Sequence, residues 1–209
     1  MSLETRPVPG PSPIFIERHA CSTRTPDVVL RRAGAKEWEG SPGVWSIPLD
    51  DAVIGRANIG VDIMSLPEGY GIVGGAARNV LEAVVHPDTQ LSRPRDIDAK
   101  FFSEQGGERL DNSREHEISM ALSPRDTENG HGISEVSSIR EWLRSCDFTL
   151  NQSVVYGDML HTTTNAVGDM INYIIRPTTY EHTREHQLSL KLALKALRLL
   201  AELKVDGIE

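Results

Sequence analysis

The stretch Gly71-Ile72-Val73-Gly74-Gly75-Ala76-Ala77-Arg78-Asn79, followed downstream by Arg95-Asp96-Ile97-Asp98-Ala99-Lys100-Phe101-Phe102, decides how the chain reads. Gly71 to Val73 is a short β-rich run closed by two glycines, and Ala76 to Val85 has the composition of a helix. The order is therefore strand, glycine turn, helix. Pro87, Pro94 and the polar residues between them mark a loop. The run from Arg95 to Phe102 suits a second strand. Strand side chains alternate between faces, so Asp96 and Asp98 are expected on one face, a few ångströms apart. Two like charges held that closely call for a cation, and oxygen-only ligands favour Mg2+ or Mn2+, which bridge triphosphate oxygens. Gly74-Gly75 ahead of a helix offers backbone N–H groups and the positive end of the helix dipole to a triphosphate, and Arg78 adds a charge one turn in. Taken singly, Asp-x-Asp also suits a solvated strand end, and Gly-Gly a tight turn.

Working outward, Met1 to Pro13 carries Pro7, Pro9, Pro11 and Pro13 and reads as an extended arm. Signals from Ile14 to Gly43 are mixed, with Val28-Val29-Leu30 serving equally as strand or helix turn. Val44 to Pro48 alternates as a short strand, and a helix is expected within Asp50 to Met64. Downstream, Ile118, Met120 and Leu122 alternate with Glu117, Ser119 and Ala121, which predicts a third strand over Glu115 to Leu122. A glycine-containing loop around Asn129 to Gly132 precedes a helix expected from about Ser134 to Leu143. Asp147 to Gln152 opens another helix or loop. Thr183 to Lys204 is a long leucine-rich helix with Leu190, Leu194, Leu197 and Ala201 along one line and Leu192, Leu199 and Leu203 to its side. So broad an apolar surface predicts packing on more than one neighbour, a second subunit in a homodimer included. Residues 1–65 are read as an arm and extension, and 66–209 as the main domain.

With 39% hydrophobic and 25% charged residues, the 209-residue chain falls in the ordinary globular class and is long enough for one good core. Its net charge of -8 means that a nucleic acid would have to be held by a local basic patch. Cys21 and Cys146 stand far apart, and the sequence lacks a signal-peptide pattern, so a reducing compartment, the cytoplasm, is expected. No run approaches the roughly 18 apolar residues of a membrane span, so no membrane partner is expected.

The motifs gain meaning in combination. Gly-Gly-Ala-Ala-Arg-Asn followed by Arg-Asp-Ile-Asp resembles the Gly-Gly-x-Val-Arg-Asp and Asp-x-Asp signature of class II tRNA nucleotidyltransferases and bacterial poly(A) polymerases. Further blocks follow in the same order. Glu117-Ile118-Ser119 resembles the family's Glu-Val-Thr strand, Asp147-Phe148-Thr149-Leu150-Asn151 its Arg-Arg-Asp-Phe-Thr-Ile-Asn block, and Val167-Gly168-Asp169-Met170 to Ile175-Arg176 its Gly-Gly-x-x-Asp-Leu to Ile-Arg segment. Ala196 to Leu203 resembles the helix that closes the head domain. The likeness runs from about Tyr70 to Lys204. It implies an α+β nucleotidyltransferase (polymerase β-like) fold, a small mixed sheet flanked by helices. It also implies metal binding by Asp96 and Asp98 and a third acidic residue in Glu117. Gly74, Gly75, Arg78, Asp147 and Asn151 would face the nucleoside triphosphate.

The departures limit what carries over. Ser145 and Cys146 replace the two arginines ahead of the Asp-Phe-Thr block, and Asn79 replaces an aspartate. Leu188, Ser189 and Leu192 stand where class II enzymes carry the Glu-Asp-x-x-Arg template that reads the base edge. The relatives' neck, body and tail domains find no counterpart before Glu209, so a full CCA-adding enzyme is not expected. The expectation is an Mg2+- or Mn2+-dependent transferase that moves a nucleoside monophosphate from an NTP to a hydroxyl. The acceptor is left open among an RNA 3′ end, a protein side chain and a small molecule. The alternative is a nucleotide-binding or interaction protein that keeps the fold without turnover. His182 and His186 have helical spacing but lack the His-Glu-x-x-His order, His161 and Thr162 to Thr164 have no nucleophile pattern, and Cys146 reads as a small buried residue.

Overall fold

The computed structural model describes residues 24–62, 66–94, 96–122, 133–178 and 190–203. The proline arm, Arg95, the loop at 129–132, the His182/His186 pair and residues 183–189 of the leucine-rich segment lie outside them. The chain is α+β. Helix α1 (Pro26–Arg32) starts on a proline, with Asp27 in its first turn and Arg31 and Arg32 in its last, an order that suits the helix dipole. A hairpin of β1 (Lys36–Glu37) and β2 (Val44–Pro48) leads to α2 (Asp51–Ala57), where the Asp50 carboxylate accepts the Val53 N–H at 2.7 Å as N-cap. β3 (Tyr70–Val73) runs straight into α3 (Gly74–Val85). β4 (Asp98–Phe102), α4 (Asn112–Leu122), β5 (Ser134–Val136) and α5 (Ile139–Ser145) follow. A 3-10 turn at Thr149–Asn151 then precedes the hairpin of β6 (Ser153–Tyr156) and β7 (Met159–Thr163), α6 (Thr164–Asn172) and α7 (Leu190–Glu202).

Among the described residues the seven strands form one mixed sheet in the order β1-β2-β7-β6-β3-β4-β5, antiparallel throughout except for the parallel β4–β5 pair. Strands from before residue 65 thus belong to the same sheet as those after it. Helices α2, α3 and α6 cover one face, where Ile47, Ile72, Val155 and Leu160 join Ala77, Leu81 and Val167 in the main core. On the other face Ile139 and Leu143 of α5 pack on Val73, Phe102 and Val154. No helix among the described residues is long and apolar enough to cross a membrane.

Two local expectations are corrected, and α7 shows which of its apolar stripes faces the core. Glu115–Leu122 is helical rather than a strand, and Glu117 therefore sits exposed on α4. Its inward residues are Glu115, Ile118 and Leu122, a spacing of three and four, and one of the two buried ones is an acid. Glu115 is held there by Tyr70 Oη, which donates to it at 2.9 Å, and by Arg109, whose Nε and Nη2 donate at 2.9 and 3.2 Å. Ser134–Val136, expected to begin a helix, is instead the edge strand beside β4. On α7 the buried line is Ala196, Leu199 and Leu203, whereas Leu194 and Leu197 are 57% and 60% exposed.

Two titrations should divide the acid stability profile. His161 on β7 is buried, stacked on Trp38 with ring centroids 4.9 Å apart and with Nδ1 2.9 Å from Ser46 Oγ. Burial pushes its pKa down from 6.5 to about 4. As pH falls through that window the unfolded chain takes up a proton that the native chain refuses, so stability declines, by at most on the order of 3 kcal/mol. Glu115 acts lower. Its pKa lies below the usual 4.5, chiefly because Arg109 hydrogen-bonds the carboxylate, so its contribution is complete above 4.5 and is lost as pH falls through the native value. Urea denaturation across pH should show H161Q losing the upper decline and E115Q the lower. In the same assay at neutral pH, Leu199→Ala should cost about 2–4 kcal/mol and Leu197→Ala under about 0.5 kcal/mol.

Candidate functional site

The antiparallel pairing of Val73 with Asp98 places the start of β4 beside the start of α3. Gly74 is the first residue of that helix and has φ +67°, in the left-handed region. A Cβ built on it would lie 2.8 Å from Asp98 Oδ2, closer than real Cβ contacts come. Conformation and space both demand glycine here, and the consequence is a carboxylate standing directly over a helix start. At Gly75 a Cβ would meet nothing nearer than Arg78 Nη2 at 3.7 Å, an ordinary contact. The helix is 12 residues long, and its N-cap residue Val73 supplies no side-chain hydrogen bond to the first turn.

Asp98 is exposed, Ile97 is buried at 6%, and Asp96 is half-buried in the loop just ahead of β4 rather than in the strand itself. Glu117 is not brought to this point, and among the described residues no group of three or more His, Cys, Asp or Glu side chains is arranged to hold a metal. Asp98 and the glycine turn are brought together. Arg78 and Asn151 form a second join. Both are buried, and Arg78 Nη1 donates to Asn151 Oδ1 at 2.9 Å, which links the first turns of α3 to the 3-10 turn.

The Asp147 to Asn151 block is fixed from behind by the segment at 169–178. Thr149 Oγ1 donates to Asp169, whose carboxylate is also gripped by Arg176 Nε and Nη2 at 3.2 and 2.9 Å. The Thr149 N–H donates to the Arg176 carbonyl at 3.0 Å, and the Thr178 N–H to that of Asp147 at 2.9 Å. Two blocks far apart in sequence thus form one unit. The Asp147 carboxylate is paired with Lys195 of α7, a partner that sequence spacing gave no means to foresee. Cys146 is buried and donates Sγ–H to the Asn151 carbonyl at 3.1 Å, and burial pushes its thiol up to about 12. It is a packing residue with no nucleophile's environment.

Asn79 acquires a reason of its own. Its Nδ2 donates to the Ala57 carbonyl at 3.2 Å and to the Ser92 carbonyl at 2.8 Å, tying α3 to the end of α2 and to the loop that leads to Asp96. An aspartate, which only accepts, could make neither bond. Comparison of the chain with protein-family models, with curated proteins and with solved structures found no match. Asn79→Asp should therefore destabilise the fold by about 1–3 kcal/mol, because a carboxylate would face two carbonyl oxygens. A fall in the urea midpoint at neutral pH, with Asn79→Gln less affected, is the expected outcome.

Proposed function

We propose that the chain is a metal-dependent nucleotidyltransferase of the polymerase β-like kind, which transfers a nucleoside monophosphate from an NTP to a hydroxyl acceptor and releases pyrophosphate. The observation that carries this reading is the Asp98 carboxylate poised over the Gly74 end of α3. That arrangement juxtaposes a ligand for a hard cation with a backbone cradle for phosphate. The donor set suits Mg2+ or Mn2+, since such ions take one or two carboxylates and complete their shell with water and substrate phosphate. Asp98 and Asp96 would hold the ion, which when bound neutralises charge on the triphosphate and on the leaving pyrophosphate.

The chain's own contributions follow from the same placement. N–H groups of the first turn of α3 receive phosphate oxygens, and the Arg78–Asn151 pair braces that turn from within. With the triphosphate so fixed, an acceptor hydroxyl attacks the α-phosphorus in line, the new P–O bond forms, the hydroxyl proton is lost to solvent, and the bond to pyrophosphate breaks. RNA is one candidate acceptor. A second copy of the chain would find Leu194 and Leu197 as its apolar contact on α7.

One observation favours a second reading, a nucleotide-binding protein without turnover: Glu117 faces solvent on α4 and adds no third carboxylate to the pair. The two readings separate in one assay. The full chain is incubated with Mg2+, each α-labelled NTP and RNA, protein or small hydroxyl acceptors, and label transfer and NTP binding are both recorded. Transfer that drops about 100-fold or more in Asp98→Asn, with circular dichroism unchanged, is the outcome expected of the enzyme. NTP binding without transfer supports the second reading, and absence of both rejects the two together.

A further inference from the structure

A cavity of about 410 Å³ lies between α1, α2, the end of β2 and the last turn of α3. Its inner wall is apolar, formed by Val29, Ile47, Val53 and Val85, all of them buried. Among the described residues, three arginines, Arg24, Arg32 and Arg56, also line it, against one acid, Asp50. That carboxylate is engaged as the N-cap of α2, accepting the Val53 N–H. The described lining residues thus carry a net charge of +2 in a chain whose total is -8. Arg24 is anchored over the cavity by donating Nη1–H to the Val85 carbonyl at 3.3 Å. Arg56 adds a more pointed signal, since its Nε is buried with no hydrogen-bond partner among the described residues. A buried donor in that condition is costly unless something arrives to accept from it.

We propose that this cavity is a binding site for a small organic carboxylate with a compact apolar body. The size falls within the roughly 300–1,000 Å³ of small-molecule sites. The valine and isoleucine wall accepts the hydrocarbon part, and the arginines take the carboxylate through charge-assisted bonds, for which the planar guanidinium is well shaped. Free inorganic phosphate would leave the wall unused, and an uncharged hydrocarbon would leave the arginines unanswered, so both parts are required. The site is separate from the Gly74 cradle. Val84 and Val85 end the helix that Gly74 begins, roughly 15 Å away along its axis. A ligand here would therefore act on the first site through α3 and not by direct contact, and the inference stands whether or not the nucleotidyltransferase reading holds.

The test is calorimetric titration of the full chain with octanoate below its micellar range, alongside acetate and octanol. Octanoate should bind saturably and raise the melting temperature, while acetate and octanol should each bind about tenfold more weakly or not at all. Arg32→Gln/Arg56→Gln should weaken octanoate binding by about tenfold or more. Val28→Trp should also weaken it by occupying the cavity. Val28 is 54% exposed, so the larger side chain is tolerated, and unliganded melting of each variant verifies folding. Absence of saturable octanoate binding to the wild type overturns the proposal, as does binding that the arginine variant leaves unchanged. Equal affinity for acetate would overturn the apolar half of it, and equal affinity for octanol the ionic half.

Discussion

Helix α3 is enclosed by the rest of the chain. Ala76, Ala77, Val80, Leu81 and Ala83 have no exposed surface, and even Arg78 and Glu82 are buried. The alanines are what make this possible, because a helix face without bulk lets the sheet, α2 and α6 approach from different sides. The burial in turn fixes everything attached to the helix. Its first residue meets β4 through Gly74 and Asp98, its second turn meets α2 and the following loop through Asn79, and its last turn bounds the arginine-lined cavity. A helix packed this tightly cannot rotate or slide without opening the core at several points. Its two ends are therefore held in a constant relation.

What the sequence made legible is the part of the fold in which local chemistry and tertiary packing agree. Tyr70–Val73, the glycine turn and Gly74–Val85 combine β-rich residues, a left-handed turn position and good helix formers, and each signal points the same way. Glu115–Leu122 is the opposite case. Ile118, Met120 and Leu122 satisfy the period of a strand, while Glu115, Ile118 and Leu122 satisfy that of a helix, and the helical reading requires a buried glutamate. The Tyr70 and Arg109 donors make that burial favourable, and neither residue lies on α4. On α7 the leucines occupy more than one stripe, so periodicity could not choose between them. The choice was made by the shape of the core that receives Ala196, Leu199 and Leu203. The β6–β7 hairpin gave too little pattern for its sheet position to be read, since its place between β2 and β3 depends on pairings formed across more than eighty residues.

The candidate site divides along the same line. Asp98 and Gly74 were legible because strand, turn and helix are contiguous with their motifs, and their meeting needs only the β3–β4 pairing. Arg78 and Asn151 meet through a longer route, the docking of the 3-10 turn by Asp169 and Arg176, which the order of sequence blocks hinted at without giving any geometry. Lys195 on Asp147 could not be read at all. An ion pair between residues 48 apart leaves no local trace in composition or spacing.

The physical difference between these pairs lies in what holds each of them in place. The approach of Asp98 to the helix start is set by backbone: a strand register fixes where the carboxylate begins, and a left-handed glycine leaves the space that it enters. Few substitutions can alter such an arrangement gradually, because any side chain at Gly74 is strained and collides at once. The surroundings are set by side chains instead. Asn79 donates to two carbonyls, Cys146 fills space beside the 3-10 turn, and Lys195 pairs with Asp147. Each of these contacts rests on one side chain and is lost with it, as Asn79→Asp would lose both of its carbonyl bonds. The placement of Asp98 beside the start of α3 is therefore a property of the backbone, and the polar surroundings of the 3-10 turn are a property of individual side chains.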